Sequence, residues 1–495
     1  MKKFHFLLIT ALIAITSCTK EDPSEALTPG PDQIVFAINT SNELIRFNAK
    51  TPASSLSKTA ISGLVVGEKL MSIDFRPSTG ELYALSDSSK LYIINQNDGK
   101  ARIVGASSFT PKINGNIASI DFNPTVDRLR LVTSTGQNLR LNPETATVAA
   151  TDGAINGGTS PIIAGIAYTN SKAGATSTIL YDIDQTSGKL YTQNPPNNGT
   201  LVEVGNLGIT FTGQATFDIT PGNIALMAAG LNFYILDLTT GKASKIGSVA
   251  ESLLDIAIPT DPIAYATDAS NNLLMFNPSA VSAGVTTKAI TGLQVGENVL
   301  GIDFRPLNGQ LFALGSSSRL YTINLSSGAA TQVGTGIFST LLLGTDFGFD
   351  FNPTVDRIRV VSNLGQNLRL NPVDGTVAAT DGNLNPGLPI ITAAAYTNNF
   401  AGTTATSLFV VDHNTDKLYI QNPPNNGTLV EIGNLGIDLN SDNGFDIGSR
   451  SNNSYLIAAV GGTTNLYTIN TSSGLASTPV IFPTPVKGFS LGTGF

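Results

Sequence analysis

The sequence predicts an all-β fold, a β-propeller of about ten four-stranded blades arranged in two homologous halves. Three observations carry this expectation. Gly (49 residues) and Pro (25) punctuate the 495-residue chain densely while charged residues make up only 13% of it, a balance suited to short strands joined by tight turns. Long stretches occur twice in the same order: Ile73-Asp74-Phe75-Arg76-Pro77 returns as Ile302-Asp303-Phe304-Arg305-Pro306, 122–128 returns as 351–357, 136–143 as 365–372, and 193–203 as 421–431. Within each half, alternating strands recur in groups of four at a period of roughly 40 to 50 residues, the spacing of propeller blades.

The chain opens with Lys2 and Lys3, an apolar run over 6–15 and small residues up to Cys18. That order marks a secretory leader, and the run is too short to span a bilayer. Ile15-Thr16-Ser17-Cys18 resembles a bacterial lipobox. The resemblance implies a leader over 1–17, lipidation of Cys18 and a tether over 18–32, so that the partner at this end is a membrane reached through the lipid. Thr19-Lys20-Glu21-Asp22 resembles the export signal of some Bacteroidetes lipoproteins. It implies an outer-membrane protein exposed at the surface, with the periplasmic face as the alternative. Cys18 is the only cysteine, so stability is expected from burial and backbone pairing rather than disulfides.

The two halves span 33–259 and 262–495, five blades each. The clearest blade reads 71–75, 81–85, 90–94 and 101–104, with Asn97-Asp98-Gly99 turning its last hairpin. Further blades begin at 117, 163 and 215. The N-terminal unit offers only three strands, 34–38, 43–47 and 58–61, and the chain ends in a single strand, 486–491. Joined in one sheet, these fragments would close a ring and hide its edges. Between the halves, Pro259-Thr260-Asp261-Pro262 is the whole link, and four residues span at most about 14 Å. So short a link favours one ten-bladed ring over two five-bladed rings.

The repeated Ile-Asp-Phe-Arg-Pro strand, Phe-Asn-Pro-Thr-Val-Asp-Arg and Gly-Gln-Asn-Leu-Arg-Leu-Asn-Pro resemble an uncharacterised bacterial family catalogued as domain of unknown function 4394. Both halves carry the motifs, as tandem copies. The resemblance implies a propeller in exported proteins and brings no activity or catalytic residue with it.

Three sets of residues are candidates for chemistry. Asp74, Asp121, Asp218, Asp255, Asp303, Asp350 and Asp446 recur on the innermost strand, with Ala167, Ala395 and Ser490 in the remaining blades. Such carboxylates could hold a hard cation. The expectation is instead that each accepts backbone N–H bonds, because a wide ring would place them too far apart to share an ion. In 128–131, period two puts Arg128 and Arg130 on one face, and Arg140 joins them from the next strand, with Arg357, Arg359 and Arg369 as the second copy. Three guanidiniums could grip a small anion by forked hydrogen bonds, or be paired with Asp127, Asp152 and Asp121 in an internal network, which is the favoured reading. The amide-rich loop 193–200 and its twin 421–428 read as rigid contact surfaces or as hairpins needing that turn chemistry.

Catalysis has few candidates. His413 is the one histidine beyond the leader, and Gln185 stands at its place in the first half, so no catalytic residue, metal ligand set or cofactor is expected. The formal charge of −8 without basic clusters argues against nucleic acid. The expectation is a cell-envelope lipoprotein whose propeller binds a protein or glycan without catalysis. The alternatives are a carboxylate-based glycosidase or lyase at the propeller mouth, and a structural envelope protein.

Overall fold

The computed structural model describes residues 27–211 and 215–495. The leader, Cys18 and most of the tether lie outside the described residues. Apart from three single-turn 3-10 segments, every described element is a strand, and the strands form ten four-stranded antiparallel sheets. No helix among the described residues is long and apolar enough to cross a membrane.

The sheets make two closed rings of five blades. In the first, the innermost strands Leu70–Phe75, Ala118–Asn123, Ile163–Tyr168, Ala215–Ile219 and Asp255–Ala257 pack side by side, the last against the first. In the second, Val299–Arg305, Phe347–Asn352, Ile391–Tyr396, Asn443–Ile447 and Gly488–Leu491 do the same. The expectation of a single ten-bladed ring is therefore corrected. Asp255–Ala257 pairs with Ile34–Ile38, and the C-terminal Gly488–Leu491 pairs with Ala264–Thr267, so each half completes its own first blade with its own last strand.

The short link is compatible with two rings because they abut at the end where it emerges. Innermost strands run toward the hairpin that joins the first and second strands of each blade. Those hairpins face each other across the contact: Tyr265 donates its hydroxyl to the Ser78 carbonyl at 2.9 Å, Arg76 reaches the Gly309 carbonyl at 3.4 Å, and Gly494 N–H meets the Thr79 carbonyl at 2.7 Å. A Cβ on Gly494 would lie 2.0 Å from the Gly80 backbone, so only glycine permits this approach. Four residues need only cross a contact, not a gap.

The repeated Asp-Phe pair explains how blades stack. Alternation points the Asp to the ring axis and the Phe into the layer between blades. Phe75, Phe122, Phe304 and Phe351 each meet an aromatic ring of the preceding blade edge-on (Phe36, Tyr83, Tyr265 and Phe312), with centroids 5.1–5.5 Å apart. Such pairs add about 0.5–1.5 kcal/mol each beyond burial. Deleting 488–495 should abolish folding of the second ring, because Ala264–Thr267 becomes an open edge. Calorimetry and light scattering on the truncated chain check this, and an unfolding profile identical to that of the full chain would contradict it.

Candidate functional site

Innermost strands of neighbouring blades are not ladder partners, so their N–H groups need other acceptors. The axial aspartates supply them, each to the next blade. Asp74 accepts from Phe122 N–H at 2.7 Å, Asp121 from Tyr168 at 3.1 Å, and Asp218 from Ile258 at 2.6 Å. In the second ring, Asp303 accepts from Phe351 at 2.7 Å, Asp350 from Tyr396 at 3.1 Å, and Asp446 from Leu491 at 2.6 Å. Ser490 takes the fourth position there, accepting from Phe304 N–H and donating to Asp303.

Asp255 does not belong to this set. Asp74 stands opposite Tyr83 and Ser490 opposite Tyr265, but Asp255 stands opposite Ile38, with Ala257 opposite Phe36. It lies two residues upstream, in a second tier with Ser72, Ser119 and Thr216. Ser72 and Thr216 donate hydroxyls to Asp255, whose carboxylate also accepts Ile73 N–H at 2.9 Å. Ser72 and Ser119 accept from Ile120 and Ile166 of the following blades. The second ring fills the same tier with Gly301, Gly348, Ala393, Gly444 and Gly488.

A five-bladed ring is narrow, and this corrects the expectation that the carboxylates stand far apart. Carboxylate oxygens of Asp74, Asp121 and Asp218 lie within 4.8 Å of one another, as do those of Asp303, Asp350 and Asp446, and all six residues are buried. The residues able to hold a hard cation are these two trios. At least one oxygen of each residue is, however, already engaged by a backbone donor, and both are at Asp74, Asp218 and Asp446. Burial pushes Asp218 and Asp303 up to about 7 and Asp255 to about 6, and burial together with the neighbouring carboxylates holds Asp74, Asp121, Asp350 and Asp446 well above the carboxylate range. Protonation is thus one way these clusters shed charge.

The arginines are drawn into an internal network. Arg130, buried, donates to Asp152 at 2.6 Å, Asn138 at 2.7 Å, Asn197 at 2.8 Å and the Tyr168 hydroxyl at 3.2 Å. Arg140 forks onto the same Asp152 at 2.8 and 2.9 Å. Arg128 does not join them and donates to the Asp127 carbonyl. Arg359, Arg369 and Arg357 repeat the arrangement around Asp381, Asn367, Asn425 and Tyr396. The loop 193–200 is part of it: Asn138 and Gln193 both donate to the Pro196 carbonyl, and Asn197 receives Arg130. Gly199 ends its turn at φ 68°, where a Cβ would strike the Ala154 carbonyl at 2.4 Å. Blade three is bolted to blade four through one buried guanidinium.

Sequence reasoning missed two features. Arg76, fully buried, forks onto Asp127 at 2.9 and 2.5 Å and touches Glu144 at 3.3 Å, with Arg305 and Asp356 as the second copy. The signal was present, since both partners sit in motifs that occur twice unchanged. Asp182 had no such signal, because its counterpart is Val410. Its two oxygens are buried without a hydrogen bond, and burial pushes its carboxyl up to about 8.

The model of a family described as a domain of unknown function, DUF4394, matches residues 43–257 and again 272–490. The chain belongs to this family. Each DUF4394 match falls on one five-bladed ring. Among curated proteins none is similar to the chain in sequence. Among solved structures, the extracellular domain of a putative one-component system from B. thetaiotaomicron aligns over 91% of this chain and 65% of its own at 10% identity and TM-score 0.26. PorZ, a surface component of the type-IX secretion system of Porphyromonas gingivalis, aligns over 92% and 60% at 13% identity and TM-score 0.24. The chain thus spans less than two thirds of either solved chain.

Two predictions follow from the DUF4394 axis and network. Removing one partner of a buried ion pair costs about 3–5 kcal/mol, so Arg130→Ala should lower the urea midpoint strongly, whereas Arg128→Ala should leave it nearly unchanged. For the axis, a carboxyl with a raised native pKa stays protonated in the fold where the unfolded chain, with a value near about 4, has lost its proton. Its stabilising contribution is full below that value and is lost as pH rises through the native one. Stability should therefore decline from pH 5 to pH 8, and Asp218→Asn should flatten the decline, read from unfolding midpoints at both pH values.

Proposed function

We propose that this protein is a cell-envelope lipoprotein whose paired rings bind a protein without catalysis, at the end of the second ring that faces away from the first. The observation that carries the reading is a group of exposed aliphatic side chains. Ile337, Leu341, Leu343, Leu364 and Leu388 are all more than half exposed, Leu388 at 96%. They sit on the loops that cross to the next blade and on the middle hairpin of a blade, at the end opposite the inter-ring contact. Gln366 ties the first loop to the hairpin, accepting from Leu343 N–H at 2.9 Å and donating to the Leu341 carbonyl at 2.8 Å. Leu384 N–H meets the Gly365 carbonyl at 2.9 Å, which brings the third loop alongside.

At the matching positions the first ring carries Ser108, Lys112, Asn114, Thr135 and Ser160. The fold therefore does not require leucine there, and grouped exposed apolar side chains favour a protein partner. A glycan is less suited, since the group offers no aromatic platform and the stretch 334–345 has no charge. The glycosidase alternative needs two accessible carboxyls about 5–9 Å apart. The axial trios are closer than that and buried, which weighs against it.

A photo-crosslinking residue at position 364, compared with one at 135, tests the reading on cells. Crosslinking to a discrete protein from 364 alone, lost when Leu341→Lys and Leu343→Asn are added, is expected. No adduct at either position would favour a purely structural envelope role.

A further inference from the structure

Each ring presents the same seat at the end where the rings meet, and only one of the two is filled. In the second ring the seat is Tyr265 of the closing blade together with 492–494. The turn 78–80 of the first ring sits in it, the Ser78 carbonyl accepting from the Tyr265 hydroxyl at 2.9 Å and the Thr79 carbonyl from Gly494 N–H at 2.7 Å. Strand register puts Phe36 at the position of Tyr265, and Pro259, Thr260 and Asp261 at those of Gly492, Thr493 and Gly494. These four residues of the first ring line an open cleft of about 950 Å³.

The open seat is furnished differently. Arg46 stands opposite Phe36 in the ladder and lines the cleft, whereas the second ring has the buried Met275 opposite Tyr265. The Arg46 side chain is exposed, and its guanidinium has neither a hydrogen bond nor an ion pair among the described residues. A strand position that takes a buried methionine in one copy does not need arginine for the blade, so this charge is left for a ligand. Ile34, Phe36, Leu44 and Ile224 give the cleft an apolar part. Of its carboxylates, Asp32 accepts from Asn48 at 2.7 Å, and Asp261 is exposed on the link. Gln33 and Gln96 spend their amide N–H groups on the Ile34 and Gly80 carbonyls, which leaves their Oε1 atoms as acceptors. An apolar patch rimmed by amides and an arginine has the composition of a protein-binding surface.

We propose that the first-ring seat receives a turn of a partner protein carrying an acidic side chain, docked as 78–80 docks on the second ring. Arg46 forks onto the carboxylate, Asp261 and the two glutamines accept from the N–H groups of the turn, and its apolar side packs on Phe36 and Ile224. The seat lies at the inter-ring end and does not rest on the aliphatic face of the second ring, so either can fail alone.

A cyclised peptide of the 75–82 hairpin is the probe, unaltered and with Ser78→Glu. Residue 78 is chosen because it meets Tyr265 and so lies beside the place that Arg46 takes in the first ring. Fluorescence anisotropy with the chain begun at residue 19 should show one site, binding the Ser78→Glu turn about tenfold or more tightly than the unaltered one, the scale of a hydrogen bond to a charged group. Arg46→Met, which installs the residue of the second ring, should erase that preference and leave the melting temperature unchanged. Should this variant misfold, added salt reads the same charge in the unaltered chain, since exposed pairs are screened and the preference should shrink. No binding of either turn, equal affinity for the two, or a preference that survives Arg46→Met or high salt would overturn the proposal. So would self-association lost on Arg46→Met, which names a second copy as the occupant, or binding seen only with a chain begun at residue 27, which names the chain's own leading segment.

Discussion

The hydrogen bond from an axial aspartate to the N–H of the next blade is the interaction on which the rest of this structure depends. Blades share no backbone ladder, so the innermost strands would otherwise bury donors without acceptors. Asp74, Asp121 and Asp218 in one ring, and Asp303, Asp350 and Asp446 in the other, meet that need. The cost is three carboxyls within 4.8 Å in each ring, which burial pushes toward the neutral form.

With the axis held this way, the two copies solve the tier above differently. The first ring uses hydroxyls around Asp255, and the second uses glycine and alanine, drawing backbones together until a Cβ on Gly488 would lie 2.8 Å from Ile302 N. Both solutions satisfy one geometry. The copies also diverge where the ring no longer constrains them: at the free end, where leucines replace polar residues, and at the inter-ring wall, where Arg450 and Phe400 stand. At the free end the scaffold makes no demand for leucine, whereas Arg450 reaches across the ring contact to the Ile94 carbonyl.

Much of the scaffold was legible because its devices are local. Strand alternation, Gly and Asn turns and the doubled motifs place the blades to within a residue or two. Arg130 with Asp152 was readable as a pair, since both lie in one blade. The Arg76–Asp127 bridge joins two blades and needed their docking to be known. The aliphatic group of the second ring was not read in advance, because 337, 364 and 388 are distant in the chain and each looks like an ordinary loop residue alone.

The sequence by itself determined the class of fold, the duplication and the identity of the blades, because periodicity and repetition are properties of order along a chain. It did not decide how many rings there are. That question turns on which strand completes Ile34–Ile38, and Asp255–Ala257 and Gly488–Leu491 are both short, apolar and able to pair. Only the tertiary structure, in which the rings abut at Gly80 and Gly494 and a four-residue link suffices, decides for closure within each half. The same narrow closure turned the aspartates from scattered acceptors into two buried clusters, since proximity across an axis is a property of the ring alone.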